Sequence, residues 1–99
     1  MKIIKDYVER IDEELEDAKH YAEKYVEAKA KGDMPTATKY KEMSGDELKH
    51  AMNIHEFAVK EIETIRKTFV PPVEMLEKWD REHKLYVERS AWIKKMLEM

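Results

Sequence analysis

Apolar positions recur every three or four residues along nearly the whole chain, which is the period of an amphipathic helix. A first stripe reads Ile4, Val8, Ile11, Leu15, Ala18, Ala22 and Tyr25, with an adjacent seam of Tyr7, Glu14, Tyr21 and Ala28. A second reads Ala37, Tyr40, Ser44, Glu47, Ala51, Ile54, Ala58, Ile62, Ile65 and Phe69. A third reads Leu76, Trp79, His83, Tyr86, Ser90, Ile93 and Leu97. Between the first two lie Gly32 and Asp33, a helix stop followed by an N-cap, with Pro35 in the next first turn, where its missing N–H is harmless. Between the last two lie Pro71 and Pro72, which cannot continue a helical ladder. The spacing therefore predicts three helices, over residues 3–31, 34–69 and 73–97. Gly45, beside Ser44, is the soft point of the second; a mid-helix glycine costs about 1 kcal/mol and marks either a kink or a close approach to the backbone.

A helix of about thirty residues is about 45 Å long. Two of them joined by a tight turn make an antiparallel hairpin, and its apolar face is too wide to be buried by the hairpin alone. It asks for the third helix or for a second copy. The expected fold class is thus all-α, a long antiparallel two-helix hairpin plus a C-terminal third helix, in one helical domain over residues 1–99. Composition narrows the picture. Charged residues make up 41% and hydrophobic ones 42%, too apolar a mixture for a disordered tail and too charged for a membrane span. With no cysteine, disulfides and thiolate metal sites are excluded. A net charge of −3 with interleaved signs lacks the basic face that a nucleic-acid partner requires. No run of apolar residues is long enough for a signal peptide or a membrane anchor, so the expected compartment is the cytoplasm or something enclosed within it.

Candidate chemistry lies in the residues that break the apolar stripes. Glu14 stands seven residues from both Tyr7 and Tyr21, and Glu47 falls on the inward stripe of the second helix with His50 one turn beyond it. A carboxylate on an inward stripe is costly unless it is paired or bound to a metal. Glu-x-x-His on one helix face is the ligand unit of carboxylate-bridged di-iron bundles, where two helices give a Glu each and two give Glu-x-x-His. The motif alone is a weak signal; its height strengthens it. If the hairpin turns at Gly32-Asp33, His50 comes level with Leu15 and Glu47 with Ala18, so that Glu14 and Asp17 each stand one residue from the facing pair. The same construction removes the other histidines. Folding back at Pro71-Pro72 brings Asp80 and His83 level with Ile62 and Val59, far from His50. His83 is then a core or interface histidine, His20 a surface one, and His55, with no acid three residues before it, packs against Val59. The methionines, Trp79 and Trp92 read as packing residues.

Glu13-Glu14-Leu15-Glu16 followed by Tyr21, then Asp46-Glu47-Leu48-Lys49-His50-Ala51, resembles the ferritin-like superfamily, and most closely its encapsulated-ferritin branch, whose short chains carry half a ferritin bundle. The resemblance covers residues 7–69; the third helix is only loosely similar to the extra C-terminal helix of that branch. It implies dimerisation into a ferritin-like four-helix bundle and a ferroxidase centre at a two-fold interface, built from Glu14, Glu47 and His50 of each chain. It further implies a secondary carboxylate at Glu16, on the metal's route in, and a tyrosine beside the centre at Tyr21. An encapsulin shell is the partner it adds, and the compartment would then be the inside of that shell. The spacing from Glu14 to Glu47 is a few residues longer than in that branch.

Stoichiometry points the same way without the family. A di-iron bundle needs two Glu helices and two Glu-x-x-His helices, this chain has one of each, and a two-fold axis supplies the rest. Oxygen and imidazole donors without thiolate suit iron, two ions per dimer site, or manganese. The expected reaction is oxidation of Fe(II). The competing reading is a non-catalytic helical oligomerisation module, in which Glu14, Glu47 and His50 form a buried polar network that fixes register.

Overall fold

A computed structural model of the chain describes residues 2–99, the side chain of Ile3 excepted, and contains three helices and, among those residues, no strand. They are α1 (Lys2–Ala30), α2 (Met34–Thr68) and α3 (Val73–Leu97), each within one residue of the expected boundaries. Gly32 takes φ +78°, the left-handed conformation that ends a helix and that only glycine adopts without strain. The Gly32 N–H then bonds to the Lys29 carbonyl at 3.0 Å and the Asp33 N–H to the Ala28 carbonyl at 2.9 Å. Asp33 caps α2, its carboxylate accepting from the Thr36 N–H at 3.3 Å. Both ends of the turn are thus fixed by residues that the sequence marks, Gly32 through its backbone and Asp33 through its carboxylate.

α1 is the central helix. α2 runs antiparallel along it, and their contact is lined by small residues, Ala18, Ala22, Ala37, Ser44, Ala51 and Ala58, all buried. Small side chains let the two backbones come close, and Ser44 Oγ uses that closeness to donate to the Ala18 carbonyl at 2.7 Å. α3 runs parallel to α1 on a different face. Arg89 reaches from α3 to Asp12 at 2.9 Å and Glu16 at 3.7 Å. The main core joins Ile11, Leu15 and Ala22 to Ala51, Ile93 and Leu97; a second cluster at the other end joins Ile4, Val8, Ile62 and Met75. The backbones of α2 and α3 scarcely approach each other.

Several expectations are corrected. Gly45 is not itself a close approach: α2 is continuous through it, and a Cβ there would meet nothing within 4 Å. Among the described residues only Met75 and Met96 are buried methionines, whereas Met34, Met43, Met52 and Met99 are exposed, as are Trp92 and Phe69. The molecule is a rod, 55 × 17 × 17 Å.

Candidate metal centre

The hairpin brings Glu14, Glu47 and His50 together. One donor atom from each lies within 4.8 Å of the others. His50 Nδ1 stands 3.6 Å from Glu14 Oε2 and 3.8 Å from Glu47 Oε2. The geometry follows from the helices. Glu47 and His50 are one turn apart on α2 and share a face, and the Ser44–Ala18 hydrogen bond sets the height at which α1 passes them. The carboxylates are largely sheltered, with side chains 19% and 22% exposed, while the His50 side chain is 56% exposed. The cluster therefore opens outward through its histidine. α3 engages α1 through Asp12 and Glu16 and α2 through His55, so it leaves this side uncovered.

Two sheltered carboxyl groups side by side do not both ionise easily. The Glu47 carboxyl is pushed up to about 7, first by hydrogen bonding to Glu14, then by burial and by the charge of Glu14, with His50 opposing. The donor set fits a cation on chemical grounds. It has a carboxylate on α1, a carboxylate and an imidazole one turn apart on α2, and no thiolate, and a metal ion would displace the proton that the raised Glu47 carboxyl holds. Such a set favours hard to borderline ions such as iron or manganese.

The secondary residues fall outside this cluster. Glu16 is exposed and turned toward Arg89 of α3. Asp17 is exposed, and acts on Glu47 only as a nearby charge. Tyr21 is half-buried and stacks on Tyr40, ring centroids 6.2 Å apart. His83 and Asp80 lie away from the centre, as the height argument requires, and both are exposed. His83 is therefore not a core histidine. It sits at the edge of the α2–α3 contact, where it meets His55 one helical turn from the expected Val59. His55 is packed between Trp79 and Tyr86. The sequence carried a usable signal for this pairing in the turn at Pro71-Pro72, which places the two histidines within a turn of each other.

Compared with family models, curated proteins and solved structures, the chain matches none of them.

Proposed function

We propose that this chain is a ferritin-like di-iron protein that oxidises Fe(II) at a centre completed by a second copy. The observation that carries the reading is the convergence of Glu14, Glu47 and His50 on the uncovered side of the hairpin. One chain holds half of the ligand set of a di-iron bundle, and its outward-facing histidine sits where a two-fold partner would add the other half. Apolar side chains flank the half-site: Phe57 and Met43 are exposed, and Tyr7 and Ile54 are half-buried. The homodimer is the smallest assembly this reading requires, and a higher homo-oligomer or an encapsulin shell in the cytoplasm is compatible with it.

Iron is the substrate here. Two Fe(II) each give up one electron, and dioxygen takes both with two protons to become hydrogen peroxide; peroxide is the other oxidant class that fits. The side chains bind the ions and balance their charge. Glu47 must release its proton before it can hold a cation, so binding strengthens as pH rises through about 7. His50 contributes a neutral imidazole, and the two carboxylates offset the added positive charge as Fe(II) becomes Fe(III).

The second reading, an oligomerisation module without catalysis, is favoured by one feature. The proton held between Glu14 and Glu47 also suits a register-fixing network. Aerobic Fe(II) oxidation followed by ferric absorbance separates the two. The di-iron reading expects oxidation faster than in buffer, slowed at least about tenfold (about 1.4 kcal/mol in the barrier) in Glu47→Gln and His50→Ala. Oxidation no faster than in buffer leaves the module.

A further inference from the structure

On the other flank of the hairpin the three helices meet around a pair of histidines. His55 Nε2 of α2 and His83 Nδ1 of α3 are 2.8 Å apart, one donating and the other accepting. His55 lies flat on Tyr86, 8° from parallel with centroids 4.6 Å apart, and stacks on Trp79 at 5.4 Å. Among the described residues this is the one side-chain hydrogen bond that joins α2 to α3, whose backbones scarcely approach each other. Both ends of α3 are seated in the core, by Met75 at one end and by Ile93 and Leu97 at the other. The stretch between, from Trp79 to Tyr86, meets α2 through His55.

We propose that this pair is an acid-operated clasp: protonation of both imidazoles breaks the bond and lets the middle of α3 lift from α2. A neutral pair has one N–H and one lone pair on the facing nitrogens. A single added proton leaves the bond intact, because one imidazolium still donates to one neutral ring. A second proton puts an N–H on both facing nitrogens, so no acceptor remains and two like charges oppose each other. The charged groups around the pair do not cancel this. From α1, Asp12 faces it but is already held by Arg89 at 2.9 Å. From α3, Glu82 lines the same small cavity, yet the charges that act on His55 are those of His83 and Glu56. Tyr86 is an uncharged phenol, pushed above its ordinary range by burial. On α2, Glu56 favours the charged form of His55, but burial and the charge of His83 outweigh it and hold His55 below 6.5. The neutral ring is thus the form the fold favours, so the clasp is shut above about 6.5 and opens as pH falls through the lower folded value. The cavity, about 10 Å³, already has room for one water beside the rings.

Acrylamide quenching of Trp79 tests this in metal-free protein, in a Trp92→Phe background that leaves Trp79 as the one tryptophan. On acidification from about pH 7.5 to about pH 5, the Stern–Volmer constant should rise at least about twofold, with helix content by circular dichroism unchanged. In His55→Gln, and in His83→Gln at the exposed partner, an amide replaces one imidazole and only one ring can take a proton. The constant should then stay within about 20% over the same range. No rise in the Trp92→Phe protein, a rise that persists in either variant, or a rise that comes with loss of helix would each overturn the clasp and leave the pair as a fixed interhelical hydrogen bond.

Discussion

The fold raises the Glu47 carboxyl to about 7, and this has a measurable consequence for stability. The protonated form is the one favoured in the folded chain. Its contribution is full below the ordinary carboxylate value of 4.5 and is lost as pH rises through about 7. The metal-free protein should therefore become less stable between about pH 4.5 and 7 from this group, and Glu47→Gln should flatten that part of the profile. At pH 7.5, Glu47→Gln and Glu14→Gln should melt at or above wild type without metal, while losing iron oxidation. Removing a member of a structural network would instead lower stability by about 3–5 kcal/mol. These two residues and His50 were legible in the sequence because helical period and hairpin height fix where their backbones stand. Glu16 and Tyr21 were not, because their partners, Arg89 and Tyr40, are choices of side-chain direction that spacing does not determine.

At the scale of the helices, α2 contains a weakness with no compensating contact. Gly45 is exposed and a Cβ there would meet nothing, so Gly45→Ala should raise stability by about 0.5–1 kcal/mol, read as a higher urea midpoint at unchanged slope. The three helices and their turns were readable because Gly32, Asp33, Pro71 and Pro72 act locally, each through its own backbone chemistry. The partner of each apolar face was not readable. The stripes of α1 and α2 specify each other through alanines and Ser44, but the third stripe is equally compatible with either helix. α3 settles on α1 through Arg89, Ile93 and Leu97, which leaves Trp92 outside. Its acid–histidine pair is correspondingly remote from the centre. Asp80→Ala should leave the rate of iron oxidation within about threefold, less than about 0.7 kcal/mol in the barrier; a large loss in a stopped-flow assay would mean that α3 packs against the other flank.

The whole molecule exposes more surface than its mass warrants. A folded monomer of 11.9 kDa is expected to expose about 5,900 Å², and this rod exposes 6791 Å². The excess, about 800–900 Å², is close to the roughly 800 Å² that each partner of a standard interface buries. The surplus is a property of the elongated shape, and the flank that carries Glu14, Glu47 and His50 has exposed apolar side chains with which to bury it. Metal ligated across such an interface adds its binding free energy to association. The most direct test is native mass measurement under anaerobic Fe(II) titration. The expected result is a dimer, or a multiple of it, that loads two irons per pair of chains and holds together at lower protein concentration with iron than without. A strict monomer with and without Fe(II), or iron bound equally well by Glu47→Gln, would contradict it.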